Sequence, residues 1–301
     1  MKILLFGANG QVGWELQRSL NPLGELIALD RHSAGQADGL CGDLANLEGI
    51  VKTVASTRPD VIVNAAAYTA VDKAESDIDN AHLINALAPE ALAKAATKVG
   101  AWLVHYSTDY VFDGSGSKPW VETDLTAPLS VYGTTKLEGE KRIAVACVKH
   151  LIFRTSWVYA ARGGNFAKTM LKLAQERDTL SVINDQFGAP TGADLLADVT
   201  AHAVQQLQQQ PAHAGLYHLV ASDETTWHGY AKHVLAQAKQ MQTAIKIISK
   251  NIVAVPTSAY PTSAQRPLNS RLNTAKLQST FGLTLPPWQQ GVDRMLLEVL
   301  A

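Results

Sequence analysis

The sequence is poor in cysteine, in long apolar runs and in excess charge of either sign. Its 301 residues include two cysteines, Cys41 and Cys147, which lie far apart and form no CxxC motif. This spacing excludes a disulfide framework and a cysteine zinc cluster. Reduced thiols are typical of a reducing compartment, so we expect a cytoplasmic protein.

The missing apolar runs and the balanced charge exclude two further classes of partner. No stretch approaches the roughly 18 apolar residues of a membrane span, and the run at 1–6 is too short for a signal peptide. The 26 Lys and Arg residues against 27 Asp and Glu leave a formal net charge of -1. Nucleic-acid binding usually needs a basic surface, so we expect neither a membrane nor a nucleic-acid partner.

The first half of the sequence contains short apolar runs that alternate with helical periodicity. The runs lie at 3–6, 26–29, 61–63, 102–106 and 151–153, and spacings of three and four recur over 12–20, 47–54 and 84–95. Runs of this length, joined by helices, are typical of strands buried on both faces. The pattern predicts an α/β fold with a Rossmann-like, doubly wound parallel sheet whose ligands bind at the carboxyl ends of the strands.

The second half predicts a smaller C-terminal substrate-binding domain. We expect a dinucleotide-binding Rossmann domain over 1–156 and a mainly substrate-binding domain over 157–301, with segments of about 180–220 returning to the first and adding a strand or two to its sheet. Prolines predict an irregular segment over 251–270. Helices are predicted over 165–176, 192–209, 274–281 and 287–300, and strands over 180–183 and 216–220.

A glycine-rich turn follows the first predicted strand and opens the first helix. Gly7, Gly10 and Gly13 form a GxxGxxG pattern with Gln11 and Val12 between them, where the general fingerprint is GxGxxG. Glycines let backbone N–H groups approach a pyrophosphate, and the helix N-terminus adds partial positive charge. In this context the turn predicts dinucleotide binding, although a simple tight turn is the alternative.

Acidic and basic side chains follow the second strand. Asp30 comes twenty residues after Gly10, where a carboxylate can bind a ribose hydroxyl, and the neighbouring Arg31 can meet a 2'-phosphate. We therefore expect both NADH and NADPH to be accepted. The remaining predicted cofactor contacts come at the right intervals to line adenine and the nicotinamide ribose. They are Asp43, Leu44, Ala67, Tyr68 and Thr69. For the alanines after the third strand, simple tight packing is the alternative.

Tyr132 and Lys136 lie four residues apart on a predicted helix, so both side chains project from one face. An ammonium group favours the phenolate form, and we expect Lys136 to lower the pKa of Tyr132 toward the working range. Thr108 ends the fourth strand and can donate to a substrate carbonyl. Ser107 has two open roles, substrate contact or satisfaction of strand-end backbone groups. These residues predict a ketone reductase, with Tyr132 as proton donor.

Several motifs together resemble those of the extended short-chain dehydrogenase/reductases, and within them the dTDP-4-dehydrorhamnose reductase family. They cover nearly the whole chain, and the most specific is the DYVFDG run. The motifs are the GxxGxxG turn and the segments 64–67, 107–114, 131–140, 154–159, 184–191 and 266–270.

The resemblance implies the last step of dTDP-L-rhamnose synthesis, the NADPH- or NADH-dependent reduction of the C4 ketone of dTDP-4-dehydro-L-rhamnose. That step supplies a sugar for bacterial surface polysaccharides such as the O-antigen of lipopolysaccharide. The resemblance assigns catalysis to Tyr132, Lys136 and Thr108, and we expect Tyr132 and Lys136 to contact the cofactor as well and Tyr132 to contact the substrate. It also implies that Thr108 and Asp109 contact the substrate and that Tyr106 contacts the cofactor. Trp157 is expected to form a wall for the sugar ring, with a role as a core aromatic as the alternative. Arg266 is expected to bind the diphosphate, with a surface ion pair as the alternative.

The resemblance also implies a homodimer with Mg²⁺ bridged by carboxylates. By position the candidate ligands are Glu15, Asp194 and Glu298, and Asp194 stands where the family pattern has the longer Glu.

Three other functions share this kind of fold. A 4,6-dehydratase typically has an Asp-Glu pair after the strand-end Thr, and here Asp109 is followed by Tyr110, which disfavours elimination. An epimerase shares the Tyr and Lys but retains its NAD. A non-catalytic nucleotide-binding regulatory subunit would need none of the intact Tyr132, Lys136 and Thr108.

Overall fold

The structure, a computed structural model, describes residues 1–33, 39–241 and 245–300 and consists of strands and helices that alternate through the first half. The strands are β1 (Lys2–Phe6), β2 (Glu25–Leu29), β3 (Val61–Asn64), β4 (Trp102–Thr108), β5 (His150–Thr155), β6 (Val158–Tyr159), β7 (Thr179–Ile183), β8 (Phe187–Gly188), β9 (Thr191–Gly192), β10 (Gly215–His218), β11 (Thr225–Thr226) and β12 (Asn251–Val255). The helices are α1 (Gln11–Leu20), α2 (Leu47–Thr57), α3 (Val71–Ala74), α4 (Ile78–His82), α5 (Ala88–Val99), α6 (Val131–Ala146), α7 (Phe166–Glu176), α8 (Ala193–Leu207), α9 (Trp227–Gln240), α10 (Ala275–Phe281) and α11 (Trp288–Leu300).

The central sheet runs in the order β10-β5-β4-β3-β1-β2, and all its pairings are parallel. The order changes direction at β1, which lies between β2 and β3. In doubly wound sheets the crevice at such a switch point is where nucleotides bind. The predicted Rossmann-like fold is therefore confirmed, and its switch point directly precedes the glycine turn.

The sheet is buried on both faces because its strands are apolar at nearly every position. Ile3 and Leu5 of β1 belong to a core that includes residues of α1, α8 and α10. Leu4 and Phe6 belong to the opposite core, which includes residues of α2, α5 and α6. Successive side chains of a strand point to opposite faces, so each apolar run supplies both layers.

The second half forms a third core and adds one strand to the sheet among the described residues. β10 pairs with β5, whereas β7 pairs with β12 in a separate two-stranded sheet. Residues of α7, α9 and α11 pack around this sheet and Tyr159. The division into two domains at 156 stays a prediction.

The expectation of an irregular segment over 251–270 is wrong at its start. Asn251–Val255 is strand β12, in parallel register with Thr179–Ile183. Its Ile and Val residues favour a strand, and the prolines that motivated the expectation begin only at Pro256. Within the described residues, no helix has the length and apolar character to cross a membrane.

Candidate active site

The glycine turn is shaped by close backbone approaches that exclude side chains. Gly7 has φ of 87°, and a Cβ on it would lie 2.7 Å from the backbone nitrogen of Ala66. A Cβ on Gly13 would lie 2.0 Å from the carbonyl oxygen of Gly7. Helix α1 begins one residue after Gly10, which gives its N-terminus no side-chain cap. The turn therefore presents backbone N–H groups at the switch point, as an anionic pyrophosphate requires.

Asp30 lies beside this turn and is held by its neighbours. Its carboxylate accepts a hydrogen bond from the backbone N–H of His32 at 2.7 Å and another from the side-chain amide of Asn9. The Arg31 Nε lies 3.3 Å from the His32 ring. A carboxylate and a guanidinium thus stand next to each other at the end of β2, where the sequence predicted selection of the ribose or its phosphate.

The other predicted cofactor contacts follow neighbouring strands. Asp43 and Leu44 precede α2, and Ala67, Tyr68 and Thr69 follow β3. Asn85 holds this second segment: its Oδ1 accepts from the Tyr68 N–H at 2.9 Å, and its Nδ2 donates to the Tyr68 carbonyl at 3.1 Å. Sequence reasoning missed Asn85, which lies in a π-helical turn between α4 and α5.

Helix α6 brings Tyr132 and Lys136 to the carboxyl end of β4. The Ser130 side chain caps the helix by accepting from the Gly133 N–H at 3.2 Å. Lys136 is 2% exposed, and its Nζ donates to the Tyr106 carbonyl at 2.5 Å and lies 3.1 Å from the His105 Nε2. The fold therefore brings the predicted catalytic pair to the carboxyl ends of the parallel strands, the same end of the sheet at which the glycine turn lies.

Burial dominates the ionisation of this pair. It raises the pKa of Tyr132 to about 12, and the Asp109 charge adds to this while a hydrogen bond with Thr108 opposes it. Burial also lowers the pKa of Lys136 to about 8, against the attraction of Glu140. The expectation that Lys136 brings the Tyr132 pKa down is wrong for this structure, because desolvation disfavours both charged forms. A phenol with a raised pKa remains protonated near neutral pH, as a proton donor must be.

Thr108 is the last residue of β4, and Asp109 follows it directly. The Thr108 hydroxyl donates to Asp109 Oδ1 at 3.0 Å and accepts from the Tyr110 N–H at 3.2 Å. Asp109 is 2% exposed, and its Oδ2 has no hydrogen-bond partner in the protein. Burial raises the pKa of Asp109 to about 6, opposed by the neighbouring hydroxyls of Ser270 and Thr108. A buried acceptor without a partner is costly, so this carboxyl fits the predicted contact with a sugar hydroxyl.

Among the described residues, Ser107 hydrogen bonds to a side chain and not to strand-end backbone groups, and its predicted contact with the substrate stays a prediction. Its hydroxyl donates to Glu140 Oε1 at 2.5 Å. Glu140 in turn forms a two-point ion pair with Arg154, with Nε–Oε1 at 2.9 Å and Nη2–Oε2 at 2.6 Å. This buried network joins β4, α6 and β5 beneath the Tyr132–Lys136 pair.

Trp157 and Arg266 belong to the second half of the chain, whereas the Tyr106 side chain points into the fold. Trp157 follows β5 and is partly buried. The Arg266 Nη2 forms an ion pair with Asp72 at 2.7 Å. The Tyr106 hydroxyl is hydrogen bonded to Thr200 of α8 at 2.6 Å. The predicted roles of all three residues stay predictions.

The three carboxylates expected to bind Mg²⁺ line one small cavity of about 20 Å³. Arg294 lies 3.8 Å from Asp194 and 3.6 Å from Glu298, and Arg18 lies 3.5 Å from Glu15. Across 1–33, 39–241 and 245–300, no three His, Cys, Asp or Glu side chains form a metal-ligating group. The arrangement in a single chain does not fit the metal.

We expect the pH dependence of catalysis to follow the ionisation of Lys136. If Tyr132 is the proton donor, as the sequence predicts, the Lys136 ammonium stabilises the negative charge that develops on it, and burial lowers the pKa of this ammonium to about 8. We expect kcat for reduction to fall above about pH 8 in the wild type. Lys136→Met should show a lower kcat without that fall. Rate profiles of both proteins check this, and a fall that persists in Lys136→Met would assign it to another group.

This fold places a glycine-rich dinucleotide turn and a Tyr-x-x-x-Lys pair at the carboxyl ends of the strands of one parallel sheet, a combination that suits nicotinamide-dependent ketone reduction. That combination assigns the chain to the extended short-chain dehydrogenase/reductases, a class of NAD(P)-dependent oxidoreductases.

Comparison with known proteins narrows the class to a family. The family model described as RmlD substrate binding domain matches residues 1–301. A dTDP-4-dehydrorhamnose reductase from Shigella flexneri is 63% identical over 299 residues, with 99% of this chain and 98% of that protein covered. The chain therefore belongs to the RmlD family of dTDP-4-dehydrorhamnose reductases.

Solved structures of reductases agree with the fold. The dTDP-4-dehydrorhamnose reductase of Clostridium acetobutylicum is similar with a TM-score of 0.86 and 35% identity, covering 98% of both chains. The Bacillus anthracis enzyme, solved in complex with NADP, is similar with a TM-score of 0.85 and 34% identity, covering 99% of both chains.

Proposed function

We propose that the chain reduces the C4 ketone of dTDP-4-dehydro-L-rhamnose to dTDP-L-rhamnose with NADPH or NADH, the last step of dTDP-L-rhamnose biosynthesis. The observation that carries the proposal is the position of Tyr132 beside Thr108 and Asp109 at the carboxyl end of β4, where desolvation raises the pKa of its phenol to about 12. The relatives named dTDP-4-dehydrorhamnose reductase support the choice of substrate.

The side chains act on the ketone oxygen while the reduced nicotinamide supplies a hydride to the C4 carbon. Thr108 exchanges its hydrogen bond to Asp109 Oδ1 for one to that oxygen, which orients the carbonyl and stabilises its developing negative charge. Tyr132 then transfers its phenolic proton to the oxygen, and the C4 alcohol forms. The Lys136 ammonium stabilises the resulting phenolate until a proton is regained from solvent.

The substrate-binding assignments follow from the same edge of the sheet. The unpartnered Asp109 Oδ2 accepts from a sugar hydroxyl, and Trp157 forms a wall for the sugar ring. Arg266 exchanges part of its contact with Asp72 for the diphosphate of the substrate, since guanidinium groups bind phosphates at two points. Residues 157–301 form a mainly substrate-binding domain that supplies Trp157 and Arg266, and residues 1–156 form the nucleotide-binding domain, which also supplies Thr108, Asp109 and Tyr132.

The choice between the two cofactors should depend on Asp30 and Arg31. Asp30→Ala removes a ribose-binding carboxylate and should raise KM for NADH more than for NADPH. Arg31→Ala removes a cation near a 2'-phosphate and should raise KM for NADPH more than for NADH. Steady-state measurements with each cofactor check this. Unchanged constants in both variants would place the two residues outside the cofactor site.

The first test measures loss of reduced-nicotinamide absorbance when the purified protein meets dTDP-4-dehydro-L-rhamnose generated in situ. Oxidation by the wild type and its loss in Tyr132→Phe are the expected results, with NADH and NADPH run separately. Absence of oxidation with either cofactor, by protein shown to bind them, would contradict the proposed function. An epimerase would instead purify with bound NAD. In a regulatory subunit, Tyr132→Phe would leave all measurable behaviour unchanged.

We also propose a cytoplasmic homodimer without a nucleic-acid partner. The two buried free thiols support a reducing compartment, the balanced charge argues against nucleic acid, and the family resemblance supports the dimer. Light scattering coupled to gel filtration measures the assembly directly.

A further inference from the structure

Trp157 has a backbone conformation that a bulky residue seldom adopts. Its φ is 50°, in the left-handed region, and its carbonyl accepts from the Thr191 N–H at 3.2 Å. Residues with large side chains pay a steric cost there and persist only where surrounding contacts hold them. The contacts that hold Trp157 therefore decide where its indole lies.

Two neighbours confine the indole. Trp227 stacks on it with ring centroids 3.6 Å apart and planes 15° from parallel. Gly188 lies against its edge, where a Cβ would come within 2.9 Å of Cε2 and 3.2 Å of Nε1. The absence of a side chain at position 188 is thus required for this ring position.

Trp227 is itself fixed at the first residue of α9. Its Nε1 donates to Gln186 Oε1 at 2.9 Å, and Phe166 packs against its ring at a centroid distance of 4.6 Å. The Thr226 side chain caps α9 and donates to Asn184 Oδ1 at 2.7 Å. The start of α9 is therefore joined to the segment Asn184–Gly188 at two points.

This segment is anchored in turn to the loop after β12. Asp185 accepts from the Thr257 N–H at 2.9 Å, and Gln186 Nε2 donates to the Thr257 hydroxyl at 3.1 Å. The Asn-Asp-Gln-Phe-Gly motif, for which sequence analysis predicted no chemical role, thus connects the loop after β12 and the start of α9 to the aromatic stack.

We propose that Trp227 is a positioning residue for the sugar site, which holds the Trp157 indole in place through the stack that the 184–188 segment supports. The inference rests on the proposed function, in which Trp157 contacts the sugar ring. Trp227 itself does not need to touch the substrate. Its removal changes sugar binding because Trp157 then relaxes from its strained conformation.

The test compares Trp227→Ala, Trp227→Phe and a matched control. Trp227→Ala should raise KM for dTDP-4-dehydro-L-rhamnose by up to about tenfold, the size of effect expected for one lost aromatic pair, with a smaller change in kcat. The Kd for NADPH should stay unchanged. Trp227→Phe should recover most of the loss, because a flat ring still stacks on Trp157.

Trp288→Phe is the control, since Trp288 is a buried tryptophan of the same core that packs on Tyr230 and His233. It should leave KM unchanged. Gly188→Ala provides a second route, because it displaces the Trp157 ring while leaving Trp227 intact. It should raise KM as Trp227→Ala does, and it keeps the test valid if Trp227→Ala fails to fold.

Circular dichroism detects the stack between Trp157 and Trp227 independently of enzyme activity. Two indoles stacked this closely couple their transitions and give a paired band in circular dichroism. The band should be present in the wild type and Trp288→Phe, absent in both Trp227 variants, and altered in Gly188→Ala. A wild type without the band, or folded Trp227→Ala with wild-type KM, would overturn the inference.

Failure of the proposed function gives a different result. A wild type that oxidises no NADPH with the ketosugar contradicts that function by itself. Binding of dTDP-glucose, measured by calorimetry in the same variants, then decides the positioning inference. Weaker binding in Trp227→Ala and Gly188→Ala than in Trp288→Phe supports it, and equal binding overturns it.

Discussion

Tyr132→Phe is expected to lower kcat for ketone reduction by about 10²- to 10⁴-fold, the usual contribution of a positioned proton donor. The variant loses a hydroxyl and keeps the ring, which packs edge-on against Tyr110 at a centroid distance of 5.5 Å. Packing and cofactor affinity should therefore be preserved. Stopped-flow or steady-state measurement of kcat, together with the Kd for NADPH, checks both parts.

Tyr110→Phe is the matched control for this prediction. It removes a hydroxyl from the tyrosine that packs against Tyr132, so it repeats the chemical change without touching the proposed proton donor. We expect its kcat to remain near that of the wild type. Equal losses of kcat and of cofactor affinity in Tyr132→Phe would contradict a role in the transition state, as would a large loss in Tyr110→Phe.

The sheet and the nucleotide turn were predictable because their signals are local. Each strand of the first half is a short apolar run, and a glycine turn between a strand and a helix has a limited set of uses. Gly7 and Gly13 are required by backbone approaches within the turn and to the end of β3. Such constraints are visible in the order of residues along the chain.

The pairing of strands in the second half was harder to predict from the sequence. β7 was recognised as a strand, but its pairing with β12 joins segments about 70 residues apart. A proline-rich stretch that begins at Pro256 obscured the five residues before it. Pairing of short strands depends on which other edge is available, and this is a property of the whole fold.

Side-chain contacts between elements were the least predictable part of the site. His105 lies in the middle of an apolar strand, and nothing in the sequence indicates that its ring meets Lys136 31 residues further on. The ionisation of Tyr132 was mispredicted for a related reason. Its spacing from Lys136 is visible in the sequence, whereas the burial that outweighs the charge depends on everything packed around both groups.

The buried ion pair between Glu140 and Arg154 is expected to give the largest change in stability. Both side chains are about 5% exposed or less, and Glu140 also accepts from Ser107. Arg154→Met leaves a buried carboxylate without its cation, which typically costs 3–5 kcal/mol, so we expect a loss of about that size in the free energy of unfolding. Urea unfolding of the wild type and the variant measures it.

The double variant Glu140→Gln/Arg154→Met tests whether the loss comes from the unpaired charge. Removing both charges should recover much of the stability, because neither group then carries an uncompensated charge. Lys52→Met is the control, since Lys52 forms an exposed pair with Glu48, and it should leave unfolding almost unchanged. A double variant as unstable as Arg154→Met would attribute the loss to packing. The network joins α6 to β4 and β5. When the ion pair between Glu140 and Arg154 is lost, we expect α6 to shift and Tyr132 to move away from Thr108. The kcat of Arg154→Met should therefore fall even where the protein remains folded.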